Sequence, residues 1–237
     1  MTPTEHHDDV AAPTPARRLI VITAGTGEPS STRMLADRIA QRTIELLRET
    51  GTDASAGVIE LSPLAVDIAS AAVAGFPSEQ LQAAIEQIAS ADAIIAATPV
   101  YKAGISGLFK SFVDVLDDDL LIAKPVLLAA TAGSSRHALV VDQQMRSLFA
   151  YMRALTLPTS VFAGPEDWGA TDLGDRIGRS ATELAVLVRA QIERQITECQ
   201  WSGYQHQFAG NATRAERTTA DIDFDSSLMR LAAGGRT

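Results

Sequence analysis

The chain of 237 residues contains one cysteine, Cys199, and only 5% aromatic residues. A lone cysteine excludes an intrachain disulfide framework and any multi-cysteine metal centre. It is compatible with a reducing compartment, so the expected location is the cytoplasm. No apolar run reaches the roughly 18 residues of a membrane span, and the opening stretch "MTPTEHHDDVAAPTPARR" lacks the charged-then-apolar order of a secretory signal. Positive charge is also short: the formal net charge is −9, which repels a phosphate backbone and argues against a nucleic-acid partner. Familiar catalytic signatures are missing too. There is no G-K-[ST] phosphate loop, "GSS" departs from the G-x-S-x-G nucleophile elbow, and the four histidines lack metal-ligand spacing.

What is present suits an α/β protein, with 46% apolar and 21% charged residues and a length that fits one domain. Five apolar runs read as strands: "LIVITA", "ASAGVIEL", "ADAIIAATP", "KPVLLAATAG" and "PTSVFAG". Five helices alternate with them. The first, "RMLADRIAQRTIELLRET", repeats Leu35, Ile39, Ile44, Leu46 and Leu47 at near-helical spacing and stops at Gly51; the second, "SEQLQAAIEQIASA", is capped by Ser78. "SGLFKSFVDVL", "RHALVVDQQMRSLFAYMRAL" and "TDLGDRIGRSATELAVLVRAQIERQI" complete the set. The alternation predicts a doubly wound sheet of five parallel strands, with right-handed crossovers and helices on both faces.

The expected core is 17–198. Residues 1–16, with His6, His7, Asp8 and Asp9, read as a solvated flexible tail. From residue 199 periodicity fades into a C-terminal tail. Its pieces "WSGYQHQF" and "FDSSLMRLA" suit docking on the core or on a neighbouring subunit, and disorder accounts for them equally well.

In doubly wound sheets a ligand lies beyond the carboxyl ends of the strands, which singles out the loops after the first, third and fourth. The first, "AGTGEPSSTR", sets Ser30, Ser31 and Thr32 beside the free amides of a helix N-terminus, with glycines that let the backbone come close. That combination binds phosphate, although Ser30 replaces the third glycine of G-x-G-x-x-G, and a plain capped helix explains the same residues. In "TPVYKAGISGLFKSFVD", Pro99 stiffens the chain, and Tyr101 and Lys102 precede the bare backbone of Ala103 and Gly104. Such a loop suits a flat ring; alternatively Tyr101 covers the sheet end and Lys102 is solvated. "TAGSSRH" repeats the pattern of small residues and hydroxyls, followed by Arg136 and His137, the latter a proton donor or simply a capping histidine.

Together "AGTGEPSSTRMLA", "TPVYKAGISGLFKSFVD" and "ATAGSSRHALVVDQQMRSLFAYMRAL" resemble the NADPH-dependent FMN reductase family, and within it the reductases that supply reduced FMN to luciferase-like monooxygenases, including the alkanesulfonate system. The likeness runs from Arg18 to Gly164. It implies a flavodoxin-like sheet of order 2-1-3-4-5, FMN with NADPH or NADH as cofactors, a flavin-dependent monooxygenase as partner, and a homodimer or homotetramer. By the same likeness Ser30 and Thr32, with Thr26, Ser31 and the loop amides, hold the FMN phosphate. Pro99, Val100, Tyr101, Lys102 and Ala103 run along the isoalloxazine, and Thr131, Gly133 and Ser134 border its other side. The first loop departs from the family pattern in carrying Glu28 where many members have arginine. An FMN-retaining quinone, azo or metal-oxyanion reductase and a flavodoxin-like electron carrier are the alternatives.

Overall fold

The chain runs β1 (Arg17–Thr23), α1 (Ser31–Glu49), β2 (Ala54–Glu60), α2 (Ala65–Ala74), α3 (Glu79–Ala89), β3 (Ala93–Tyr101), β4 (Gly104–Ile105), α4 (Gly107–Asp114), β5 (Pro125–Thr131), α5 (Arg146–Tyr151), β6 (Leu155–Thr156), β7 (Val161–Ala163), α6 (Thr171–Arg189) and α7 (Ile192–Tyr204). This computed structural model describes residues 16–204. The expected N-terminal tail up to residue 15, the end of "WSGYQHQF" and all of "FDSSLMRLA" lie outside the described residues.

Strand β1 shows why the sheet is covered twice. Its side chains alternate with period two, and both sets are apolar. Leu19 and Val21 join a core that includes Leu35 and Ile39 of α1 and Leu173 and Leu184 of α6. Ile20 and Ile22 join the opposite core, with Ile85 of α3, Phe109 and Phe112 of α4, and Phe149 of α5. The other parallel strands divide in the same way, Ile95 and Leu127 to the first core and Ile94 and Leu128 to the second. No helix among the described residues is long and apolar enough to cross a membrane.

Pairing is parallel in the order β2-β1-β3-β5, and β6 and β7 both lie along the far side of β5. β6 meets Pro125 and Val126, while β7 meets Ala129 to Thr131. They are two halves of one interrupted outer strand, so the sheet has the expected order 2-1-3-4-5. Within the gap, Arg146 donates to the carbonyls of Leu157 (2.7 Å) and Pro158 (3.3 Å), and the Glu183 carboxylate accepts from Thr159 N (2.9 Å).

Three helical regions differ from the sequence reading. α2 has no expected counterpart: "AVDIASAAVA" is apolar or small almost throughout, so it shows no amphipathic stripe, yet Gly75 closes it in a left-handed conformation (φ 80°). The long helix expected from Arg136 is instead a 3-10 turn (Ser135–His137), one wide π turn (Val141–Met145) and the short α5, and Leu155 already belongs to β6. The last helix breaks at Gln191, whose φ of 49° interrupts the helical path, and α7 then continues past the expected core boundary at residue 198.

Candidate active site

The carboxyl ends of β1, β3, β5 and β7 share one rim of the sheet, and the loops leaving them enclose a cleft of about 510 Å³. Glycine, proline, hydroxyl and apolar residues line it, and among the described residues no charged side chain does.

After β1 the chain turns back over its own helix. Ser30 is extended (φ −89°, ψ 114°), and its Oγ accepts from Arg33 N at 3.2 Å, capping α1. The amides of Ser31 and Thr32 have no acceptor within the helix and sit at its positive end. Gly25 makes the turn possible: a Cβ there would lie 2.0 Å from Ser30 Oγ and 3.2 Å from Thr32 Cβ. Thr32 is buried, and its Oγ1 meets Thr131 Oγ1 at 2.7 Å, stitching the first loop to the end of β5. Arg33, in the first turn of α1, is engaged elsewhere. Its Nε donates to Asp37 (2.7 Å) and its Nη1 to Glu60 (2.5 Å). Hydrogen bonding to Asp37 above all pushes its guanidinium further above the ordinary range.

The stitch is testable in the FMN-free protein. Thr32→Val or Thr131→Val alone leaves a buried hydroxyl unpaired and is expected to cost about 1–3 kcal/mol. The double variant is expected to cost clearly less than the sum, because both partners are then gone. Urea denaturation of the four proteins checks this, and additive losses would mean that the two hydroxyls act independently.

After β3 the chain forms a hairpin with β4, pairing Val100 with Ile105 and Tyr101 with Gly104. Lys102 and Ala103 are its two-residue turn, both left-handed at φ 50° and 64°. Tyr101 is half exposed, and its hydroxyl lies 3.1 Å from Thr26 Oγ1, bridging the first and third loops across the cleft. Below the hairpin, buried Thr98 accepts from Ser106 N (3.2 Å), and Ser106 Oγ caps α4 by accepting from Phe109 N (3.1 Å).

Of the residues expected from sequence, Thr26, Ser30, Ser31 and Thr32 line the cleft from the first loop. Pro99, Val100 and Tyr101 line it from the third, and Thr131 and Gly133 from β5. Lys102 and Ala103 do not line it, since they form the tip of the hairpin. Ser134 does not either: its Oγ is taken up by Arg136 N (3.1 Å) at the start of the 3-10 turn. The sequence reading passed over Pro165 and Trp168, which line the cleft from a 3-10 turn after β7, where Gly164 N donates to Asp167 (2.7 Å). A signal existed, because "GPEDWG" follows the carboxyl end of a strand just as the other loops do.

This lining suits a flat organic group bearing a phosphate. The helix end and hydroxyls offer donors to a dianion, while Pro99, Val100, Ala132 and Trp168 offer apolar surface. Among the described residues the lining carries hydroxyl, glycine, proline and apolar groups, which bind and orient a ligand rather than transfer a proton themselves.

Comparison with known proteins agrees. The family model for NADPH-dependent FMN reductase matches residues 17–169. An FMN reductase (NADPH) from Pseudomonas aeruginosa is 38% identical over 151 residues, covering 64% of this chain and 78% of that protein. An NADH-dependent FMN reductase, SfnE, from Pseudomonas putida is 34% identical over 178 residues, covering 75% and 90%. Among solved structures, an oxidoreductase from Corynebacterium diphtheriae has a TM-score of 0.72 at 42% identity, covering 74% of this chain and 98% of that one. With the family model spanning well over half of its length, the chain belongs to the NADPH-dependent FMN reductase family.

Proposed function

We propose that this cleft is where the reductase holds FMN for reduction by NADPH or NADH, and that the reduced FMN then serves a flavin-dependent monooxygenase. The observation carrying the assignment is the uncharged cleft that begins at the capped N-terminus of α1 and ends at the β3–β4 hairpin. Ser30, Ser31 and the first-turn amides would hold the phosphate. Pro99, Val100 and Tyr101 would border the ring on one side and Ala132 and Gly133 on the other. When bound, FMN supplies the hydride-accepting centre. The protein's own part is to orient the ring, to join the rims through the Thr26–Tyr101 bond, and to exclude water with Pro165 and Trp168.

Thr26, Gly27 and Tyr101 are exposed at the rim, which supports exchange of FMN with solvent or with a partner enzyme. In this reading residues 17–198 carry the activity, in the cytoplasm, within a homodimer or homotetramer. The test is anaerobic oxidation of NADPH and of NADH by the purified protein while free FMN is titrated from zero. Oxidation is expected to depend on added FMN and to saturate with it. Oxidation that needs only tightly held flavin and a quinone would replace this reading with a flavin-retaining reductase, and consumption of neither nucleotide would remove it.

A further inference from the structure

We propose that Gln144 is a positioning residue for FMN binding, holding the β3–β4 hairpin in the shape that presents Tyr101 to the cleft. This rests on the placement of FMN in that cleft. Gln144 lines no part of the cleft and acts through the hairpin.

The hairpin needs support that its own sequence does not give. Two-residue turns of this kind favour asparagine or glycine, because both central residues are left-handed, yet here they are Lys102 (φ 50°) and Ala103 (φ 64°). Strand β4 has only two residues, so few ladder bonds resist the turn's tendency to relax. Gln144 supplies what is missing. Its Oε1 accepts from Ile105 N at 3.0 Å, and its Nε2 donates to the Ala103 carbonyl at 3.3 Å. One carboxamide therefore ties the second turn residue and the β4 arm to the π turn.

Gln144 is itself well anchored. It sits on the π turn Val141–Met145, whose end residues Val141 and Met145 are fully buried in the core. The fit is close on the hairpin side, where a Cβ at Gly104 would lie 3.2 Å from Gln144 Oε1. Gly104 pairs with Tyr101, and Tyr101 in turn meets Thr26. Force applied at Gln144 is thus passed to both rims of the cleft.

The experiment compares Gln144→Ala and Gln144→Met, the second keeping the side chain's length without its hydrogen bonds. FMN affinity is measured by flavin fluorescence titration, alongside KM and kcat for the nicotinamide nucleotide and melting of the FMN-free protein. Both variants are expected to weaken FMN binding about 5- to 20-fold, with the melting temperature of the FMN-free protein nearly unchanged. Adding Ala103→Gly, which removes one left-handed penalty, is expected to restore part of the affinity. Unchanged FMN affinity in both variants overturns the proposal, as does failure of Ala103→Gly to restore any. A wild-type protein that does not bind FMN would overturn the cleft assignment as well, whereas wild-type binding with unaffected variants overturns only the role of Gln144.

Discussion

Alanine at position 25 is expected to lower FMN affinity at least tenfold and to destabilise the FMN-free protein by about 1 kcal/mol or more. The added methyl would stand 2.0 Å from Ser30 Oγ and 3.2 Å from both Ser30 Cβ and Thr32 Cβ. Rotating the serine hydroxyl away relieves the first contact only by giving up the cap on Arg33 N. The two remaining contacts then push on the backbone that carries Ser30 and Thr32, and so on the donors assigned to the phosphate. Gly27 provides the control. A Cβ there meets nothing nearer than Pro29 O at 3.5 Å, so Gly27→Ala is expected to bind FMN nearly as the wild type does. Fluorescence titration and thermal melts of both variants check the pair. Wild-type affinity in Gly25→Ala would show that the first loop has room to spare and does not shape the site.

The largest loss of stability is expected from Phe109→Ala. Phe109 is fully buried in the first turn of α4, and its ring packs against Phe149 with centroids 6.2 Å apart and planes tilted by 54°. Removing a core phenylalanine costs about 3–5 kcal/mol in lost transfer energy and residual cavity. For a domain of this size that corresponds to a melting temperature lower by roughly 6–20 °C. The cleft itself is left intact, so FMN at about 100 times its dissociation constant is expected to return about 2.7 kcal/mol, as it does for the wild type. Calorimetry with and without FMN measures both effects. A drop of only a degree or two would mean that the surrounding helices close over the gap.

Both variants lie where the sequence was most readable. The strands around Gly25 and Phe109 are short apolar runs ended by glycine, proline or hydroxyl residues, and a doubly wound sheet follows from their alternation with helices. Three loops that line the cleft could be located because doubly wound sheets gather their loops at the carboxyl edge. Harder to read was everything that depends on local geometry without a residue signature. The π turn that carries Gln144 lies inside a helical-looking pattern and differs from it only in how wide one turn is wound. That Lys102 and Ala103 form a left-handed turn was not legible, because nothing in a Lys-Ala pair announces one. Trp168 follows the fifth strand, "PTSVFAG", whereas the switch-point rule points to the loops after the first, third and fourth.

The interrupted outer strand bears on how copies of this chain behave when crowded together. An open sheet edge is a template for pairing with another chain, and aggregation commonly starts there. Here the edge is two ladder fragments, β6 and β7, separated by a stretch in which Pro158 has no N–H to offer. The donor of Thr159 is already taken by Glu183, and the carbonyls of Leu157 and Pro158 by Arg146. An incoming strand would find no continuous row of groups to match, so this flank of the sheet is a poor template for edge-to-edge pairing between copies of the chain.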